Sequence, residues 1–171
     1  MSKSMRPILV PVVLACTAVL LGAPVPSMAQ DEHAHMHDPA GAAVSNMSLD
    51  GERKWATDES LRSGMASIRK AFDKDHPAIH AGTETDAQYA ALADRIEAEV
   101  KSIVANCHLP AAADANLHFV IADLLQGASL MRGQVVGKTR HDGAARVHGA
   151  LNAYARYFDD LSAPETDHPP K

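Results

Sequence analysis

The sequence predicts an all-α protein, an up-down antiparallel four-helix bundle preceded by an export leader and a disordered His-rich arm. Apolar residues recur at spacings of three and four in four separate segments, and each segment opens on a residue suited to starting a helix. No segment shows the period-2 alternation of a strand. The connecting stretches are short and polar, as antiparallel neighbours require.

The first 29 residues follow the plan of a secretory signal. Lys3 and Arg6 charge the start, Ile8 to Leu21 is almost wholly apolar, and Ser27-Met28-Ala29 offers small residues before a cut. Pro11, Gly22, Pro24 and Pro26 interrupt or close the apolar run, which suits a cleaved leader better than a spanning helix of about 20 residues. A lipoprotein cut before Cys16 is the weaker alternative, since an apolar stretch continues from Thr17 to Leu21. The expected compartment is therefore the periplasm, with no membrane contact once the leader is gone. Cleavage leaves 142 of the 171 residues, enough for one domain with a core. It also lowers the Lys and Arg total from 16 to 14 against 21 Asp and Glu, so the net charge moves from −5 to −7. Such an acidic balance argues against nucleic acid and anionic lipid as partners and is compatible with metal ions.

Residues 30–56 hold Pro39, Gly41 and several alanines, with no apolar periodicity before Trp55, and so predict a flexible arm. Thr57 is placed to cap a first helix whose stripe is Leu61, Met65, Ile68 and Phe72. Asp75 to Gly82, containing Pro77, is expected to break it. Thr85 and Gln88 form a capping-box signal for a second helix bearing Tyr89, Leu92, Ile96, Val100, Ile103 and Cys107. Pro110 suits the first position of a third, with Leu117, Val120, Ile121, Leu124, Leu125 and Met131, ending before Gly133. Thr139 and Asp142 cap a fourth, bearing Val147, Leu151, Tyr154, Phe158 and Leu161. The expected divisions are a leader over 1–29, the arm over 30–56, the bundle over 57–162 and a polar tail over 163–171.

Two phrases carry a resemblance. One is Trp55-Ala56-Thr57-Asp58 with Leu61-Arg62 and Gly64-Met65; the other is Ile103-Val104-Ala105-Asn106-Cys107 with Leu109-Pro110, Ala113-Asp114-Ala115 and Leu117-His118. Together they make the chain resemble the DnrO family of short exported proteobacterial proteins over about residues 50–160. The resemblance implies a small helical periplasmic protein with a His-bearing N-terminal arm, and no particular activity. The chain departs from that family's pattern at His108, where lysine is usual, and after Phe158-Asp159.

The strongest chemical signal is the tract Asp31-Glu32-His33-Ala34-His35-Met36-His37-Asp38, three imidazoles, a thioether and three carboxylates in eight residues. Neutral imidazole takes Cu(II), Zn(II) and Ni(II), and a thioether favours Cu(I), so copper is the first expectation, with zinc or nickel behind it. A solubilising linker of biased composition is the plain alternative. Cys107 loses Cys16 with the leader, so in an oxidising compartment it is expected to be buried, metal-bound, or bonded to Cys107 of a second copy in a homodimer. Met65 and His118 each lie about seven residues into helices that rise from the same end. Facing one another across the core, they would resemble the axial ligands of cytochrome b562-type bundles, so a non-covalent haem carrier is the second reading. A cofactor-free envelope interaction module is the third. No Cys-x-x-Cys-His motif is present, so covalent haem is not expected. His148 predicts a boundary residue of the fourth helix, and His76, His80 and His141 scattered loop histidines. No zincin helix, serine elbow, phosphate loop or dinucleotide glycine motif occurs, and an enzyme is not expected.

Overall fold

Capping chemistry decides where each helix begins. The computed structural model describes residues 43–160, so the leader, most of the arm, the last two residues assigned to the bundle, and the tail lie outside it. Helix α1 (Glu59–His80) is capped by Asp58, one residue later than predicted, whose Oδ1 accepts the Leu61 N–H at 2.8 Å. Helix α2 (Asp86–Asn106) opens on the predicted box: Thr85 Oγ1 accepts from Gln88 N–H at 3.3 Å and Gln88 Oε1 from Thr85 N–H at 3.0 Å. Helix α3 (Ala111–Met131) starts directly after Pro110, which takes the cap rather than the first helical position. Helix α4 (Arg140–Tyr157) begins with the reciprocal Thr139–Asp142 pair. The fold is the all-α four-helix bundle expected; among the described residues there is no strand, only two isolated bridges.

Pro77 does not break α1 as its residue type predicts. It sits inside the helix near the C-terminal end, where the missing N–H costs one backbone bond. The turn that follows is held by Ile79, seven residues beyond Phe72 on the same stripe and buried to 4% exposure. The end closes with Ala81 N–H on Pro77 O and Thr83 N–H on Ala78 O, at 3.0 and 2.9 Å. His76 and His80 are consequently helical residues one turn apart, not loop residues.

Small side chains set how closely the helices approach. A Cβ on Gly143 would lie 2.7 Å from both Gly127 O and Met131 N, and one on Gly127 would lie 2.9 Å from Gly143 O, so α3 and α4 touch backbone to backbone. Helices α1 and α2 meet at Gly64, where a Cβ would be 2.5 Å from the Ile103 side chain. Helices α1 and α4 approach much less closely. Across that wider seam Arg69 Nη2 donates to Leu151 O at 2.9 Å. The interior is filled by Leu61, Ile68, Ile96, Leu124, Leu151 and Phe158, all essentially inaccessible to solvent. Each contributes about 1.5–3 kcal/mol by leaving water.

Residues 43–56, assigned to the arm by their lack of periodicity, are packed on the bundle. A single 3-10 turn, Val44–Asn46, places Val44 and Met47 in the core at 6% and 7% exposure. Ser48 N–H donates to Asn116 Oδ1 at 2.9 Å, and Trp55 Nε1–H donates to Ser48 O at 2.6 Å. Trp55 also exchanges backbone bonds with the end of α4, its N–H on Tyr157 O and its carbonyl accepting from Asp159 N–H, both at 2.8 Å. Two apolar residues three apart are too few to register as a stripe, and the turn that carries Val44 packs against α3, far along the chain. This docked segment is called the strap below.

Candidate functional site

Cys107 stands at the C-terminal cap of α2, half-buried against the core edge, with its N–H on Ile103 O at 2.8 Å. Its thiol donates to the Asp58 carboxylate, which also accepts the His108 backbone N–H at 2.6 Å. Burial, the Asp58 charge and hydrogen bond, and the Asp114 charge push the Cys107 thiol up to about 11. Burial works against ionisation of Asp58 too, but the N–H groups of His108 and Leu61 outweigh it and hold that carboxyl below its usual range. The expected metal role of Cys107 gains no support: burial and the two acidic neighbours favour the protonated thiol, and among the described residues it belongs to no group of three side chains that could hold a metal ion.

The Met65–His118 pair does not form. Met65 is core, at 2% exposure, whereas the His118 side chain is 69% exposed and turned onto its own helix, its Nδ1 2.8 Å from Asp114 O and 3.5 Å from Asp114 Oδ2. The reason is helical phase. Leu117 and Val120 take the inward face of α3, and a rotation of about 100° per residue carries His118 outside. These two residues do not fit a shared haem, because only one of them points into the bundle.

His33, His35, Met36 and His37 lie outside the described residues. Among the described residues no group of three or more His, Cys, Asp or Glu side chains is placed to hold a metal ion. No described helix is long and apolar enough to cross a membrane.

A different imidazole cluster spans the seam between α1 and α4. The Phe72 ring, 2% exposed, forms its floor, with His148 stacked on it at 5.6 Å between centroids and 7° between planes. His76 lies 5.6 Å from Phe72, 5.7 Å from His148 and 6.2 Å from His80. All three histidines are solvent-exposed. Burial against this floor, then the charges of His76 and Arg69, hold the His148 imidazole below its ordinary range, while Asp73 opposes them. The Asn152 side-chain amide lies 3.3 Å from His148 Nε2. The four-residue His76-to-His80 spacing marks one face of α1 because Pro77 lies inside the helix.

The chain matches no protein-family model, no curated protein and no solved structure.

Proposed function

We propose that this is a non-catalytic periplasmic metal-binding protein, with copper as its first ion, in which His33, His35, Met36 and His37 of the arm capture the metal and the bundle carries the arm. The observation behind the reading is the tract from Asp31 to Asp38, whose imidazoles and thioether suit both oxidation states of copper. The secretory character of the first 29 residues and the acidic balance of the remainder support the compartment and a cationic ligand. The haem-carrier alternative is weakened by the outward turn of His118.

Titration of the purified protein and of a His33→Ala/His35→Ala/His37→Ala variant with Cu(I), Cu(II) and Zn(II) tests this. The expected result is tighter copper binding by the wild type, with the tightest-binding equivalent lost in the variant. Identical affinities for the three ions in both proteins would remove the arm from the account.

A further inference from the structure

We propose that His76, His80 and His148 form a second, bundle-borne site for a borderline divalent transition-metal ion of the Cu(II) or Zn(II) class, clamping α1 to α4. Three features support it. The first is register: His76 and His80 are four residues apart on a continuous helix, so they share one face of α1, and the tertiary fold brings His148 of α4 to the same place.

The second is distance. With imidazole nitrogen about 2.0–2.1 Å from a bound ion, two rings on one ion have centroids roughly 5–6 Å apart. His76 lies 5.7 Å from His148, within that range, and 6.2 Å from His80, just beyond it, so His76 is the ring the other two flank. As their side chains stand, the three do not form a group that could hold a metal ion. Binding requires the exposed His76 and His80 rings to turn toward His148, which is itself held by stacking on Phe72. His148 gives up its Asn152 contact at Nε2 in exchange for the ion.

The third is setting. His80 occupies the last turn of α1, where the aligned peptide dipoles favour positive charge. Arg69, the cation of α1 whose charge acts on His148, has a guanidinium nitrogen engaged by Leu151 O, and the Asp73 carboxylate opposes its charge there. Phe72 closes the inner side, so an ion is held at the rim of the seam, open to solvent on its outer side.

The site is independent of the arm, and its test uses the full chain carrying His33→Ala, His35→Ala and His37→Ala. Titration with Zn(II) and Cu(II) should show one equivalent still bound. With Zn(II), the imidazole NMR signals of His76, His80 and His148 should shift together at that equivalent. Adding His76→Ala should weaken binding about tenfold or more, the scale on which metal sites lose affinity when a supporting group is removed. Should His148→Ala disturb the α1–α4 packing, His80→Ala, whose ring packs beside His76 at the helix end, gives an undisturbed second reading. No bound equivalent in the arm-substituted protein, or one that His76→Ala and His80→Ala leave unchanged, overturns the site. Either result leaves the arm reading standing, whereas equal affinity of wild type and arm-substituted protein would sink the arm alone.

Discussion

Asp58 and His108 are joined by a 2.6 Å hydrogen bond from the His108 backbone N–H to Asp58 Oδ2, across 50 residues of chain. The same carboxylate caps α1 through Leu61 and accepts the Cys107 thiol, so one side chain binds the start of α1 to the end of α2. Asp58→Ala should destabilise the fold by about 1–2 kcal/mol, chiefly the lost cap, since water can replace the exposed His108 bond. Asp58→Asn should fall between, since its amide oxygen still caps α1 while its NH2 group cannot accept from His108. The wild-type carboxyl ionises at lower pH folded than unfolded. It therefore stabilises the fold above the ordinary carboxylate range and loses that contribution as the pH falls through the folded value. Denaturant midpoints of wild type and Asp58→Asn should converge under acid conditions; a constant gap would refute the linkage.

Cys107 should be a poor nucleophile. With its thiol pushed up to about 11 against an ordinary 9.0, the thiolate fraction at neutral pH is roughly one to two orders of magnitude below that of a free cysteine. Iodoacetamide should label the native protein correspondingly slowly, and non-reducing gels should show little homodimer bridged through Cys107. Asp58→Asn removes the neighbouring charge, so labelling should accelerate. Rapid labelling of the wild type would contradict the buried, acid-flanked setting.

The touching backbones of α3 and α4 make Gly143 the least replaceable small residue. Alanine there improves helix propensity by about 1 kcal/mol, yet its Cβ would lie 2.7 Å from backbone atoms that cannot rotate away. Gly143→Ala should lower stability by about 1–3 kcal/mol and Tm by several degrees. Gly64→Ala, which meets the movable Ile103 side chain, should cost less. A Gly143→Ala protein as stable as wild type would mean that α3 and α4 do not pack this closely.

Asp123 is a buried carboxylate, 2% exposed, whose Oδ1 accepts from Arg146 Nη1 at 2.7 Å and whose Oδ2 has no protein partner. Arg146→Met should cost about 3–5 kcal/mol by stranding that charge. Asp123→Leu added to it should restore most of the loss, because an apolar pair of similar volume satisfies the site. Calorimetry of the two variants separates ion pairing from simple loss of the arginine stem, which would leave both equally impaired.

What could be read from the sequence divides by range. The Thr85–Gln88 and Thr139–Asp142 boxes each lie within four residues, so both helix starts were legible. The choice of Asp58 over Thr57 was not, because both can cap and the His108 N–H that engages Asp58 is 50 residues away. Pro77 obeyed a local rule that Ile79 overrode by packing. His118 lay at the flank of its stripe, where a single residue separates inside from outside. His148 could be placed on α4 but not opposite His76, since only the α1–α4 seam brings them together. The strap was missed for the same reason, as Val44 and Met47 gain meaning only through contacts with distant helices.

Trp55, the sole tryptophan, reports on that strap. Its indole is held by Ser48 O and its backbone by the end of α4, but what presses the strap down is the burial of Val44 and Met47, worth about 1.5–3 kcal/mol each. Placing a carboxylate in either position should release the segment, because an unpaired charge is not tolerated there. The four helices make most of their contacts with one another, so they should survive. Val44→Asp and Met47→Asp are thus expected to shift Trp55 emission to the red while far-UV circular dichroism remains that of the wild type. Asn116→Ala, which deletes the acceptor for Ser48 N–H, should do the same to a smaller degree. If helicity and emission change together in all three, strap and bundle form one cooperative unit, and residues 43–56 belong to the minimal fold.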